Sequence, residues 1–288
     1  MDGPRSTPSR RIELLPLLVP RACGPVSGRV QIALERSIAL GLFPEGRLPA
    51  ERQLASALDV SRTALRAALD LVRASGYAEQ SLVGRAGGVP TAGGTTISPE
   101  QVEADAKQAL IGIDKLMTAR DFLEPACARR AATDPDPALV RRLIESQERL
   151  VDAPTQMAHR LTDGEFHYEL SAVSGTDEVI GTVLRARADL LRWRDRLPME
   201  DTIGHSVTEH HDIIAAIEAG RPREAEAAMR AHLDSSRQLF MLFLQRYVDE
   251  PMLVLAEGHA AVDRSLDPAT APEAMAPHGP PRVQSPPH

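Results

Sequence analysis

Leu48-Pro49-Ala50-Glu51-Arg52-Gln53-Leu54-Ala55-Ser56-Ala57-Leu58-Asp59-Val60-Ser61-Arg62-Thr63-Ala64-Leu65-Arg66 decides the fold of the N-terminal part of the chain. It predicts two short helices joined by a tight turn. Leu54, Leu58, Val60, Leu65 and Leu69 have the spacing of a core shared between those helices. Asp59 stands at the turn, where a residue that tolerates positive φ is useful. Ser61 is a good N-cap and leaves the amides of the second helix pointing at an anion. Arg62 and Arg66 lie one turn apart on one face, beside Thr63. This is the layout of a helix-turn-helix, whose second helix enters the major groove of DNA by its N-terminal end. An arginine there can take guanine O6 and N7 together, and Thr63 can meet a thymine methyl or a phosphate. Arg52, at the start of the first helix, is placed for a phosphate or base contact.

Working outward, Val30, Ala33, Leu34 and Ile38 recur at helical spacing before Gly41 stops that helix. After the second helix, Gly76 predicts a C-terminal cap and Tyr77–Val83 reads as a strand. Gly84-Arg85-Ala86-Gly87-Gly88 makes a turn, and Val89 starts a return strand. The whole is a winged helix-turn-helix over residues 26–90, with Arg85 at the wing tip able to reach the minor groove. Residues 1–25, rich in Pro and Arg, are expected to be an irregular leader.

Charge is divided unevenly along the chain. Residues 1–90 carry twelve Arg against eight Asp and Glu, a net +4; the remainder carries 21 basic against 32 acidic residues, a net −11. Only the first part therefore suits a polyanion. With aromatics at 3%, a helical protein rich in Ala, Leu and Arg fits better than a β-sandwich. No apolar run is long enough to span a bilayer. Ile12–Val19 is short, carries Glu13 and is interrupted by Pro16, which does not fit a secretory signal. The expected location is the cytoplasm. Cys23 and Cys127 form no metal or disulfide pattern and read as two unpaired thiols.

Residues 91–99 read as a linker, and from 100 to about 250 the pattern is helical, broken at Pro135/Pro137, Pro154, Gly175, Pro198 and Gly220-Arg221-Pro222. Six or seven helices in a bundle are predicted, so the fold class is mainly α. Residues 260–288, dense in Pro, Ala and Ser, are expected to be a disordered tail. Within the bundle, Asp163 and His167 stand at i and i+4. His210 opens an apolar-periodic helix, and His232 lies on the next one. One carboxylate and three imidazoles on the inward faces of neighbouring helices can build a metal site. The same residues also suit a surface ion pair and polar core histidines. Arg120 stands at i,i+4 from Glu124, the spacing of an ion pair on the helix surface.

The stretch Gly41–Arg52, followed by Val60-Ser61-Arg62-Thr63-Ala64-Leu65-Arg66, resembles the N-terminal domain of GntR-superfamily transcription regulators. The resemblance implies DNA contacts by Arg52, Ser61, Arg62, Thr63 and Arg66, with the wing glycines, Gly87 among them, at the minor groove. Ala67 departs from the pattern, where that family usually has Glu. Arg120–Pro125, Asp163–His167, Glu209-His210 and Met229–Leu233 together are similar to the FCD effector domain of its FadR-like branch. That likeness implies Asp163, His167, His210 and His232 as metal ligands. His211 is one residue off and turned about 100° away. Zinc is the expected metal, with Ni or Mn as other candidates. It implies further a small organic acid as effector, with Arg120 as its counter-charge. The expectation is a homodimeric regulator on a near-palindromic operator, commonly a repressor and not an enzyme. Two alternatives stand beside it: the metal is itself the signal, or the site activates water as a hydrolase.

Overall fold

The computed structural model describes residues 8–21, 24–43, 48–75, 99–153, 156–194 and 203–249. Among them it is helical throughout, with two hydrophobic cores. The wing over Tyr77–Val89, with Arg85, Gly87 and the Gly76 cap, lies outside the described residues, as does the 260–288 tail.

The N-terminal unit contains α1 (Pro8–Glu13), α2 (Leu15–Leu18), α3 (Val26–Ala39), α4 (Glu51–Ala57) and α5 (Arg62–Ala74). α3 ends in a Schellman motif, with Gly41 at φ 71° donating to the Ile38 carbonyl and Leu42 donating to Ser37. α4 ends the same way. Asp59 at φ 50° donates to Ser56, and Val60 donates to Ala55. The turn thus uses an aspartate in the left-handed region, where only a short polar side chain commonly substitutes for glycine. Ser61 Oγ accepts from Ala64 N at 3.1 Å and starts α5. Leu54, Leu58, Leu65 and Leu69 are buried, as their spacing requires, and Val60 packs against them half-buried.

Residues 1–25 were expected to be irregular, but α1 and α2 are helical, and Leu15 and Leu18 are fully buried. Pro16 explains the difference. It falls in the first turn of α2, where its missing N–H has no helical partner to lose. There a proline starts a helix instead of breaking one.

The C-terminal bundle contains α6 (Pro99–Thr133), α7 (Pro137–Val151), α8 (Gln156–Ala172), α9 (Asp177–Arg194), α10 (Ile203–Glu218) and α11 (Pro222–Asp249). These ends follow the Pro and Gly breaks in the sequence. α6 and α11 pack along each other, α10 packs on α11 and α7, and α8 packs between α7 and α9. Ile113, Met117, Leu143, Phe166, Ile213 and Met229 fill the centre of this core. The second core joins the two units: Leu161, Ile180, Leu184, Ala188 and Leu191 share it with Leu15, Leu18 and Leu34. Cys127 is a buried free thiol, and burial, then the Glu124 carboxylate, pushes it up to about 11. A thiol held that far from ionisation is inert at neutral pH.

Candidate metal centre and nucleic-acid interface

His167 on α8, His210 on α10 and His232 on α11 converge at the centre of the bundle. All three are buried, and one ring nitrogen from each lies within 4.8 Å of the others. Each helix is held there by its apolar neighbours in sequence: Phe166 and Leu170 on α8, Ile213, Ile214 and Ile217 on α10, Met229 and Leu233 on α11. The His210 ring stacks on Phe166 at 3.8 Å between centroids and 9° between planes. The imidazole centroids are 4.7 to 5.3 Å apart.

Hydrogen bonds orient the rings. His167 Nδ1 is bonded to Glu124 Oε2, and His232 Nδ1 meets Glu209 Oε2 at 2.8 Å. A carboxylate can only accept, so each Nδ1 carries the proton and each Nε2 presents its lone pair. Burial, then Arg187, pushes His167 down to about 3, against the pull of Glu124. Burial, then His232, holds His210 well below its ordinary value. Both rings are therefore neutral at physiological pH, the form that binds metal. His167 Nε2 and both nitrogens of His210 are buried with no hydrogen-bond partner among the described residues. Three convergent imidazoles, two of them with buried, unsatisfied nitrogens, are costly in an empty core. They fit a borderline divalent ion such as Zn²⁺.

Asp163, one turn before His167, faces two of the three rings through Oδ1, 3.6 Å from His210 Nε2 and 3.9 Å from His167 Nε2. Its other oxygen is bonded to Arg187 of α9. Burial alone would raise the Asp163 carboxyl, but Arg187 and then the histidines hold it well below the usual range. Arg120 is buried instead of lying on the helix surface, with Nε 2.5 Å from Glu124 Oε1 and Nη2 3.4 Å from Oε2. Glu124 would likewise be raised by burial, but Arg120 and His167 bring it far down. His211 is exposed and turned away, as its register requires.

Sequence reading missed three members of this site. Glu124 was visible only as a surface partner for Arg120, since spacing along a helix does not report depth. Glu209 precedes His210 in the sequence yet bonds to His232. Arg187 sits in an arginine-rich stretch with no pattern to mark it. It is buried, and its Nε is unpartnered among the described residues.

On α5, Arg62, Thr63 and Arg66 are exposed, while Leu65, Ala68 and Leu69 are buried. Arg52 on α4 is exposed nearby. Arg66 Nε donates to Glu51 Oε2 at 2.9 Å, which fixes the guanidinium beside the start of α4.

The family model for gntR-family bacterial regulatory proteins matches residues 27–91, and that for the FCD domain matches residues 115–235. The chain belongs to the GntR family, with an FCD domain following its helix-turn-helix. It is a DNA-binding transcription regulator. The HTH-type transcriptional repressor NanR of Klebsiella aerogenes is 29% identical over 75% of this chain and 85% of that protein. The Uxu operon transcriptional regulator of Escherichia coli is 28% identical over 69% of this chain and 80% of that protein. Among solved structures, Streptococcus agalactiae GntR aligns with a TM-score of 0.36 and 23% identity, over 71% of this chain and 98% of that one.

Proposed function

We propose that this GntR-family protein is a repressor whose grip on its operator is set by a small organic acid bound at a metal ion in the FCD domain. The observation that carries the reading is the buried triad of His167, His210 and His232, in which His167 Nε2 and both nitrogens of His210 have no hydrogen-bond partner among the described residues. Asp163 completes the donor set. Three nitrogens and one oxygen suit Zn²⁺, with Ni²⁺ or Mn²⁺ as substitutes.

When bound, such an ion is a Lewis acid that can accept a carboxylate directly. The chain's own residues do the rest. Glu124 and Glu209 hold the proton of His167 and His232 on Nδ1. Phe166 fixes the plane of His210 and excludes water from that side. Arg187 and Arg120 are the buried guanidinium groups available to an anionic ligand. Arg120 has both of its described bonds on Glu124. Arg187 keeps an Nε with no hydrogen-bond partner among the described residues.

In this reading the N-terminal unit meets DNA through Arg52, Ser61, Arg62, Thr63 and Arg66, with Arg85 and Gly87 of the wing at the minor groove. A homodimer in the cytoplasm reads a near-palindromic operator. The site serves binding and not turnover.

Elemental analysis of untagged protein tests the centre. About one equivalent of metal per chain is expected, and its loss in His210→Ala. No metal in the wild-type protein, purified or after incubation with Zn²⁺, overturns the reading.

A further inference from the structure

α9 touches the metal centre on one side and the DNA-binding unit on the other. Arg187 donates to Asp163, whose second oxygen faces His167 and His210. Two residues on, Asp189 accepts two bonds from Arg36 of α3, at 2.8 Å from Nε and 2.6 Å from Nη2. One turn further, Arg192 is bonded to Glu35 of α3, and Glu35 accepts from Ser75 Oγ at 3.2 Å. Ser75 is the C-cap of α5, the helix that carries Arg62 and Arg66. The α2 segment closes the same seam. Its Leu18 carbonyl accepts from Arg36 at 2.8 Å, and its Leu17 carbonyl accepts from Arg185 of α9 at 2.7 Å. Leu184, Ala188 and Leu191 of α9 are buried against Leu15, Leu18 and Leu34.

We propose that α9 is the element through which occupancy of the histidine centre reaches the recognition helix. Asp163–Arg187 is its input; Asp189–Arg36 and the Arg192–Glu35–Ser75 chain are its output. The inference rests on the metal reading above. A divalent ion at the triad and the Arg187 guanidinium would share one carboxylate, Asp163, through its two oxygens. A guanidinium buried as deeply as Arg187 cannot stay uncompensated, so a shift of Asp163 toward the ion changes what Arg187 must bond to. Arg187 is fixed to a rigid helix. Beside Arg187 that helix is close-packed through Leu184, Ala188 and Leu191, and behind it Asp189 and Arg192 are ion-paired to α3; close-packed interfaces answer a small shift by moving to a second arrangement instead of absorbing it. Coupling of this kind is an equilibrium between two arrangements that both ends bias, and it is measurable as such.

Amide hydrogen exchange on the full chain, with and without Zn²⁺, tests the route. Wild-type protein, Asp189→Asn, Glu35→Gln and His210→Ala are compared. In the wild type, Zn²⁺ is expected to slow exchange in α8, α10 and α11, and to change it by about fivefold or more in α3 and α5. Asp189→Asn and Glu35→Gln are expected to keep the first response and lose most of the second. His210→Ala is expected to lose both. If the wild-type response stops at the bundle, or if both variants retain the α3 and α5 response, the route is wrong and the metal centre stands. If Zn²⁺ alters nothing in the wild type, the metal centre falls and takes the route with it. Glu35→Gln reads the same output from the other side of the seam should Asp189→Asn fail to fold.

Discussion

His232 and Glu209 meet at 2.8 Å between Nδ1 and Oε2, across two helices and 23 positions of sequence. The bond leaves Nε2 as the ring nitrogen that can face His167 and His210. His167 uses Glu124 in the same way. Carboxylates behind metal-binding imidazoles fix the tautomer and raise the basicity of the ligand. Glu209→Gln and Glu124→Gln are therefore expected to weaken Zn²⁺ binding about 10- to 100-fold without abolishing it. Competition against a chelator of known affinity measures this. An unchanged affinity in both variants would show that neither carboxylate orients its histidine. Glu124→Gln has a second expected effect. It leaves Arg120 buried without a countercharge, so its fold is expected to be weakened more than that of Glu209→Gln.

The centre also predicts how metal-free protein responds to acid. His167 takes up a proton at its ordinary value of 6.5 when unfolded but only near 3 when folded. Between those values the unfolded state binds more protons, so stability falls as pH falls. His210 acts in the same direction, since burial lowers it too. The carboxylates of Asp163 and Glu124, held low in the fold, add a further loss as pH drops through the ordinary carboxylate range and below. From pH 6.5 to 5, one such histidine removes about 2 kcal/mol. Urea unfolding of the metal-free protein at the two pH values checks this, with His167→Gln expected to show a shallower slope. Equal stability of the wild type at both values would contradict neutral burial of these rings.

Leu18 tests whether the segment before α3 belongs to the fold. It is fully buried in the core that joins α9 to α3. Leu18→Ala is expected to cost about 2–5 kcal/mol by the apolar surface lost and the cavity left. Glu13→Ala, on the exposed side of the same segment, is expected to change stability by about 0.5 kcal/mol or less. Chemical denaturation followed by circular dichroism separates the two. Similar small effects from both would mean that the segment adds nothing to stability.

What the sequence showed and what it hid divide along a physical line. The helix-turn-helix was readable because every signal in it is local: the Asp59 turn, the Ser61 cap, and the helical spacing of Leu54 with Leu58 and of Leu65 with Leu69. The histidines of the centre were readable as types on helices, through their likeness to a known domain. Their hydrogen-bond partners were not. The Glu209–His232 and Glu124–His167 bonds join different helices, and no periodicity reports which helices cross. Depth was hidden too. Arg120 and Glu124 have the spacing of a surface pair, yet both are buried, because α8 covers that face of α6. The role of Pro16 was hidden for a different reason. Its local meaning depends on where a helix starts, and here it stands in the first turn.

The recognition helix gives the last prediction. Arg62 is exposed at the first position of α5, next to the cap made by Ser61. Arg66 lies one turn on and is paired with Glu51, each partly open to solvent. An exposed pair of this kind contributes about 0.2–1 kcal/mol, so DNA can displace Glu51 from Arg66 at small cost. Arg62→Ala is expected to lower operator affinity by about 1–3 kcal/mol and to relax the preference at one base pair if Arg62 reads a guanine. If it meets a phosphate instead, affinity falls on every sequence and the salt slope drops by about one. Ser61→Ala is expected to act through the fold, removing about 1 kcal/mol of stability as a lost N-cap. Fluorescence anisotropy across a salt series, on an operator selected from random DNA, distinguishes these outcomes. An Arg62→Ala protein with unchanged affinity and unchanged slope would remove α5 as the helix that reads DNA.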